Sequence, residues 1–482
     1  MTIHVPTWML RARFALDLAE MYGGEVPAYN TLVEVSRAVN EDAAAVRGQD
    51  AERLGSIERV TAERHGAIRV GSPGELAGAA RVFAAFGMHP VGFYDLRDAS
   101  SSSVPVVSTA FRPVDAEELA KNPFRVFTSM LTTDDRRFFD RPTQQRLEAF
   151  IAERTLFHDD LLALADRAAA EGGLPEPEAA ELLRLATAAF HLSDEPVDEE
   201  WYRHLERISS VAADIGGVPS THVNHLTPRV LDIDELYRRM QARGIEMISE
   251  IQGPPAWEGP DVLLRQTSFR ALAEDRVFRA ADGSVRRGQL KVRFGEVEQR
   301  GIALTPRGRE LYDRLVIEVD RLRSADGEQH TRVAVAAEVW RENLPRTERD
   351  LAVQGLAFFT YRAVGSATVP AGHAGTVADL VACGALVPEP IVYEDFLPRS
   401  AAGIFQSNLT DEGTRDDRQS GTAWDITSLS AVVGRPVHDP AELYAAQQEA
   451  SLKVAEKALG LPIDRTVPHV LEGIDGRVEA HR

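Results

Sequence analysis

The chain has 482 residues, of which 44% are hydrophobic and 27% are charged, a composition typical of a globular protein with a sizeable core. Its formal net charge of -20 opposes binding to phosphate backbones and anionic lipid, so neither nucleic acid nor a membrane surface is an expected partner. A small anionic substrate would therefore need local cations. The single cysteine, Cys383, excludes an intramolecular disulfide framework and is typical of a reducing compartment, which predicts a cytoplasmic protein.

Five segments follow one another along the chain, with predicted ranges 1–60, 61–115, 116–212, 213–310 and 311–482. The first is predicted to be helical, because apolar residues such as Leu10, Phe14 and Leu18 recur at helical spacing. The second is a βα module, the third an acidic helical insertion, and the fourth a βαβββ module. The last is an α/β extension that carries a long loop at 390–409, and such loops are often functional.

The second and fourth segments contain stretches that resemble each other, HGAIRVGSPGEL from His65 and HLTPRVLDIDEL from His225. Placed in register without a gap, they share five identities in twelve positions, which pair His65 with His225, Arg69 with Arg229, Val70 with Val230, Glu75 with Glu235 and Leu76 with Leu236. Each stretch continues into a helix, a glycine and a new strand, VGFYDL or MISEIQ. The pattern predicts two duplicated units whose opening histidines occupy equivalent points and face a shared cleft.

In the strand LKVRFGEVEQR two carboxylates share one face with apolar residues, because side chains alternate along a strand; the residues of that face are Val292, Phe294, Glu296 and Glu298. One interpretation is an edge strand with solvated or arginine-paired glutamates. The other is a buried glutamate whose charge is compensated by a metal cation. Two histidines and one carboxylate form the ligand set of non-haem Fe(II) oxygenases, although Mn(II), Co(II) or Zn(II) also suit it. Its open coordination positions can take a bidentate 2-oxo acid and dioxygen.

The histidine and arginine assignments leave alternatives open. The sequence THVNHL offers both His222 and His225, and only His225 is in register with His65. Arg69 lies four residues after His65, so both side chains point to the same face of an extended strand. Its guanidinium could grip a substrate carboxylate through two hydrogen bonds, and the alternative is a surface salt bridge.

Several segments resemble the 2-oxoadipate dioxygenase/decarboxylase family, namely HGAIRVGSPGEL, HVNHLTPRVLDIDEL, LLRQTSFRAL, FGEVEQRGIALTPRGRELYD and YEDFLPRSAAGIFQSNL. That family is similar in its core to the vicinal oxygen chelate fold and to 4-hydroxyphenylpyruvate dioxygenase, in which paired βαβββ modules wrap a metal. The resemblance implies an α+β fold of such paired modules with helical N-terminal, inserted and C-terminal additions. In the hydroxyphenylpyruvate enzymes Gln-Arg follows the ligand glutamate after two residues, which favours Glu296 over Glu298 here.

The resemblance also implies an activity, the Fe(II)-dependent conversion of 2-oxoadipate and dioxygen to 2-hydroxyglutarate and carbon dioxide, a reaction of lysine catabolism. It assigns His65, His225 and Glu296 as metal ligands, and Arg69 and Ser400 as catalytic substrate contacts. Arg399 stands where an apolar residue is expected in relatives, so it is predicted to line the substrate pocket and to alter its charge or length.

Weaker pocket predictions are Gln266 and Ser268 on the strand RQTSF. Two other functions compete with the dioxygenase. One is an oxygen-independent metal lyase or isomerase, since the vicinal oxygen chelate fold hosts such chemistry too. The other is a non-catalytic binding protein without the metal. The sequence does not indicate an oligomeric state.

Overall fold

The structure, a computed structural model, describes residues 4–48, 53–54, 59–60, 64–99, 104–291, 293–325, 330–365, 375–408 and 413–467. Its strands β1 to β14 are His4–Pro6, Arg64–Val70, His89–Asp95, Val106–Arg112, Arg125–Leu131, Gly173–Pro175, Val197–Asp198, His225–Pro228, Leu264–Ser268, Glu274–Arg279, Val285–Leu290, Glu296–Arg300, Phe359–Ala363 and Leu386–Pro390. Its helices α1 to α17 are Thr7–Glu25, Pro27–Arg47, Pro73–Ala84, Ala116–Lys121, Arg141–Glu153, Asp159–Glu171, Glu176–Ala189, Glu199–Glu206, Ser210–Gly216, Ile233–Ala242, Pro306–Ala325, Arg332–Asn343, Glu348–Val353, Val377–Ala382, Pro398–Asn408, Ile426–Val433 and Pro440–Leu459.

The largest sheet has five strands in the order β3-β4-β5-β2-β8. Strands β2 and β5 pair in parallel, and the other neighbours are antiparallel. Helix α3 connects β2 to β3, and its start is fixed by Ser72, whose hydroxyl accepts a hydrogen bond from the Glu75 backbone N–H at 3.3 Å. Elements β2, α3, β3, β4 and β5 thus include a strand, a helix and three further strands, and the last of these strands, β5, pairs with the first, β2.

A second group of strands continues from β8, because Arg229 and Glu298 form a parallel bridge between the end of β8 and β12. Strand β12 pairs with β9 in antiparallel fashion. The stretch MISEIQ, which we predict to be a strand, forms only isolated bridges, at Met247 to Phe269 and at Gln252 to Gln266. Both bridges lie on the edge of β9 opposite to β12. The stretch therefore occupies the position of a neighbouring strand but does not form a regular one.

The ranges predicted to be helical contain both helices and a core strand. Helices α1 and α2 lie in the range 1–60, helices α4 to α8 lie in the range 116–212, and α9 spans the end of that range. The range 116–212 also contains β5, which pairs with β2 in the middle of the sheet. Every residue of Arg125–Leu131 is buried, so this strand belongs to the core rather than to a helical insertion.

The remainder of the chain packs helices α11 to α17 and the hairpin-like pair β13-β14 against the two groups of strands. Val292, which we place on the inner face of its strand, lies outside the described residues. Within the described part of the chain, none of the helices combines the length and the apolar character needed to cross a membrane.

Candidate metal centre

Three side chains from different strands converge at the join between the two groups of strands: His65 on β2, His225 on β8 and Glu296 on β12. One potential ligand atom from each lies within 4.8 Å of the others. The His65 Nε2 atom is 3.8 Å from Glu296 Oε1, and the His225 Nε2 atom is 3.3 Å from Glu296 Oε2. The three residues are 1%, 4% and 2% exposed, so the group is closed to bulk water.

The strand pairing explains this convergence. Strands β2 and β8 are antiparallel neighbours, with His65 opposite Thr227 and Ala67 opposite His225. The two histidines are therefore diagonal neighbours on one face, with ring centroids 5.5 Å apart and the rings nearly perpendicular. Helix α1 packs beside the start of β12, because the Tyr22 hydroxyl donates a hydrogen bond of 2.8 Å to the carbonyl oxygen of Phe294, two residues before Glu296.

The electrostatics of the group fit a divalent cation. Burial and the neighbouring Glu298 raise the pKa of Glu296 well above its ordinary value, and burial with nearby His65 and Arg69 lowers the pKa of His225 well below its own. His225 is thus a neutral donor, and the raised pKa favours the protonated form of Glu296 unless a cation compensates the charge of its carboxylate. Two imidazole nitrogens and one carboxylate are the donor set that suits Fe(II) and related metals.

Glu298, the second glutamate of β12, has a different role. It is fully buried, and its carboxylate lies 2.9 Å from His65 Nδ1 and accepts hydrogen bonds from Arg300 Nε at 2.6 Å and Arg125 Nη1 at 3.3 Å. Burial alone would raise its pKa, but Arg300, His65 and Arg125 lower the pKa to about 2. The ionised carboxylate favours a proton on His65 Nδ1, which leaves the Nε2 lone pair facing Glu296 and His225.

The same arginines hold the segment 393–396 against the histidine. Arg125 forms an ion pair with Glu394, and Arg300 donates to the carbonyl oxygens of Tyr393 at 2.8 Å and Asp395 at 3.0 Å. This places the Phe396 ring edge-on to His65, with centroids 5.0 Å apart. The sequence analysis missed these supports, although Arg125 stands directly beside His65 in the β2-β5 register.

The other residues singled out from the sequence fall around this group. His222 lies with Asp214 instead, its Nε2 atom 3.3 Å from Asp214 Oδ1. Arg69 is buried and also pairs with Asp214, so its ion pair is internal and not on the surface. Arg69 follows His65 by four residues on β2, so both side chains lie on the same face of that strand, and Arg69 contributes to the lowered pKa of His225.

Gln266 and Ser268 both lie on the strand beside β12. The Gln266 side-chain amide donates a hydrogen bond to Glu296 Oε1, so it touches the group directly. Ser268 stands opposite Glu296 in the strand register, and its hydroxyl accepts a hydrogen bond from Asn408 at 2.7 Å. Of these two predicted pocket residues, Gln266 is thus the one in contact with a proposed ligand.

Ser400 and Arg399 begin helix α15 and point to different surroundings. Ser400 is buried and lines a cavity of about 520 Å³, which Arg399 also lines. The Arg399 side chain is 63% exposed and pairs with Asp320 at 2.6 Å. Ser400 is therefore a buried residue of the cavity wall, and Arg399 lies at the solvent-exposed edge of the same cavity.

The family of this chain follows from its similarity to known proteins. The family model described as 2-oxoadipate dioxygenase/decarboxylase matches residues 14–408. The chain belongs to this family. A family member of that name from Mycobacterium tuberculosis (strain ATCC 25618 / H37Rv) is 54% identical over 440 residues, which cover 91% of this chain and 96% of the relative. Another from Pseudomonas putida is 41% identical over 463 residues, covering 94% and 97%.

Solved structures agree with the family assignment. The crystal structure of the hydroxyglutarate synthase from Pseudomonas putida in complex with 2-oxoadipate superposes with a TM-score of 0.80 at 38% identity, covering 96% of this chain and all of that one. The Shigella flexneri protein YdcJ gives a TM-score of 0.77 at 37% identity, covering 93% and 99%. The likeness to family members therefore extends over nearly the whole described fold.

Proposed function

We propose that this protein converts 2-oxoadipate and dioxygen to 2-hydroxyglutarate and carbon dioxide. The observation that carries the proposal is the buried convergence of His65, His225 and Glu296 in a chain of the 2-oxoadipate dioxygenase/decarboxylase family. The reaction balances: C1 leaves as carbon dioxide, the 2-oxo carbon becomes the new carboxylate, and the next carbon gains a hydroxyl group. Each of the last two changes takes one atom of dioxygen, so no second oxo acid is required.

The fold behind this site is proposed to be a pair of βαβββ modules of the vicinal oxygen chelate type. Support comes from β2, α3, β3, β4 and β5, in which the last strand returns parallel to the first. The segment from β8 to β12 also begins with a strand and a helix and ends in a parallel bridge between Arg229 and Glu298, while its strands β10 and β11 form a separate sheet with β7. In this proposal, His65 on β2 and His225 on β8 lie on corresponding first strands of the two modules, which the sequence repeat also predicts.

The resident metal is proposed to be Fe(II), held by His65 Nε2, His225 Nε2 and the Glu296 carboxylate. When bound, it would supply a Lewis-acidic, redox-active point at which the 2-oxo acid and dioxygen meet. Glu298 orients the His65 ring, and Gln266 fixes one oxygen of Glu296 through its amide. A reducing cytoplasm would suit both the single cysteine and a ferrous centre.

The surrounding side chains would bind the dianion and exclude water. Arg69 is proposed to hold a substrate carboxylate, since it is a buried cation on the same face of β2 as His65, in a molecule whose net charge is -20. Asp214 would orient that guanidinium from its other side. Ser400 is proposed as a second contact, and the Phe396 ring shields the His65 side of the site from water.

The experiment that tests this function uses protein stripped of metal and reloaded with Fe(II). We expect mass spectrometry to identify 2-hydroxyglutarate as the product formed from 2-oxoadipate in air. The His225→Ala variant, with its folding checked by circular dichroism, should form none. A different product, formed at the same rate without air, would move the protein to the lyase or isomerase class.

A further inference from the structure

The two oxygens of the Glu298 carboxylate have different partners. The Oε1 atom accepts hydrogen bonds from Arg300 Nε at 2.6 Å and from Arg125 Nη1 at 3.3 Å. The Oε2 atom accepts a hydrogen bond from Arg300 Nη2 at 2.9 Å and lies 2.9 Å from His65 Nδ1. The contact with His65 therefore depends on how the two arginines share the carboxylate.

Arg125 lies between two carboxylates and is closer to Glu394 than to Glu298. Its contact with Glu298, at 3.3 Å, is long, because hydrogen bonds between charged groups are ordinarily about 2.7–2.9 Å. Its Nη2 atom makes the shorter contact, with Glu394 Oε2. The side chains of Arg125 and Glu298 are fully buried and that of Glu394 is 5% exposed, so water weakens these contacts little. Glu394 thus holds the guanidinium back from Glu298.

The sheet fixes the backbone of Arg125 but not the end of its side chain. Arg125 stands opposite His65 in the register of β2 and β5, so its backbone belongs to the core of the sheet. An arginine side chain has many rotamers, and its guanidinium takes the position set by the groups that it contacts. Loss of the charge at Glu394 would let the guanidinium approach Oε1 of Glu298. Negative charge drawn to Oε1 is then lost from Oε2, the oxygen beside His65.

We propose that Glu394 is a positioning residue for the proposed metal ligand His65. By holding the Arg125 guanidinium, Glu394 keeps one oxygen of Glu298 available to the imidazole. A carboxylate at the second nitrogen of a ligand histidine orients the ring and makes the first nitrogen a stronger ligand. Glu394 thus acts on the metal site only through Arg125 and Glu298. The inference rests on the proposed function for the role of His65, and its test uses metal binding alone.

The adjacent residue, Asp395, provides a matched comparison. It is also a buried acid, and its carboxylate accepts hydrogen bonds from Arg112 Nε at 2.8 Å, from Arg112 Nη2 at 2.9 Å and from the Tyr444 hydroxyl. The other Arg112 nitrogen, Nη1, donates to the carbonyl oxygen of Pro113 at 3.0 Å. Within the described residues, the side chain of Asp395 therefore holds the same segment through an arginine that does not contact Glu298.

The test measures Co(II) binding to metal-free protein by competition with a chelator. Co(II) suits two imidazoles and one carboxylate, and its visible absorption bands report on the arrangement of its ligands. Glu394→Gln keeps the shape of the side chain and removes its charge. Loss of a group in direct contact with a ligand costs about 10- to 100-fold in metal affinity, so at one contact further out we expect a loss of about 3- to 10-fold. The absorption bands should shift as well, because His65 is held less firmly.

Asp395→Asn is the control for a general effect on the segment. Each variant breaks a buried ion pair, so both should unfold at a lower temperature than the unmodified protein. Asp395→Asn should nevertheless leave the absorption bands unchanged and the Co(II) affinity within about twofold, because its arginine does not support a ligand. Glu394→Asp keeps the charge but withdraws the carboxylate by one methylene group. It supplies the test if Glu394→Gln does not fold, with an expected loss of about threefold or more.

A double-mutant cycle tests the path of the effect. Glu298→Gln removes the charge through which Glu394 is proposed to act. In that background Glu394→Gln should change Co(II) affinity by less than about twofold, because residues that act through one another are not additive.

The outcomes separate this inference from the proposed function. Unchanged Co(II) affinity in Glu394→Gln, an equal loss in Asp395→Asn, or a full loss that persists beside Glu298→Gln would each overturn the inference, even if the protein turns over 2-oxoadipate. The expected losses support it, even if the protein does not turn over 2-oxoadipate. Failure of the unmodified protein to bind Co(II) would reject both.

Discussion

The Nδ1 atom of His65 lies 2.9 Å from the Glu298 carboxylate, and both side chains are buried. This contact explains why two glutamates on the same face of β12 are not equivalent. Glu296 faces the Nε2 atoms of both histidines, whereas Glu298 faces the opposite nitrogen of one of them. One glutamate is thus a proposed ligand, and the other sets the orientation of a ligand.

Replacement of the two glutamates should separate these roles. Glu296→Ala removes a proposed ligand, so we expect metal affinity to fall by several kcal/mol and activity to be lost. Glu298→Ala removes a supporting contact, so metal affinity should fall by about 10- to 100-fold with measurable turnover. Competition with a chelator measures both affinities. Equal losses in the two variants would contradict the assignment.

The two histidines of THVNHL provide a second matched pair. His225→Ala should yield a folded, metal-poor and inactive protein, because its Nε2 atom faces Glu296. His222→Ala should retain metal, since His222 pairs with Asp214. Metal content by elemental analysis decides between them. If His222→Ala lost the metal and His225→Ala kept it, His222 would be the ligand and His225 would not.

Metal binding should depend on pH in a defined direction. Burial and Glu298 raise the pKa of Glu296 in the metal-free protein, so the carboxyl is protonated below that raised pKa. A cation must then displace one proton, and affinity should fall about tenfold for each unit of pH below it. The lowered pKa of His225 means that this histidine releases no proton. Calorimetry in buffers of different ionisation enthalpy counts the protons, and an affinity independent of pH between 5 and 8 would contradict this account.

Arg69→Lys tests the proposed substrate clamp. Lysine keeps the charge but loses the planar pair of donors, so KM for 2-oxoadipate should rise by about 10-fold or more while metal affinity stays unchanged. Steady-state kinetics and the chelator competition measure the two effects. Unchanged kinetics would assign Arg69 only to its buried ion pair with Asp214.

The sequence predicts the centre of the site better than its surroundings. The sequence repeat aligns His65 with His225, and strand alternation puts Glu296 on a buried face; both predictions meet in the group formed by these three side chains. The sequence repeat and strand alternation can both be read from short continuous stretches of the chain. They also leave Glu298 as an alternative, which the contact with His65 Nδ1 distinguishes.

The supports come from residues that are far apart in sequence. Arg125 and Glu394 are 269 residues apart and still form a buried pair, a contact that no local pattern contains. The acidic, helical pattern of the range 116–212 predicts a helical insertion there, and β5 lies within that range. All residues of Arg125–Leu131 are buried, including the polar Arg125, Thr128 and Ser129, so apolar and polar residues do not alternate along it and periodicity does not identify the strand.

The central claim is that turnover consumes dioxygen. The most direct measurement follows oxygen uptake, carbon dioxide release and 2-hydroxyglutarate formation in one sample of Fe(II)-loaded protein supplied with 2-oxoadipate. The account predicts that the three amounts are equal and that all product formation stops under strict anaerobiosis. Turnover of 2-oxoadipate at an undiminished rate without oxygen would contradict it.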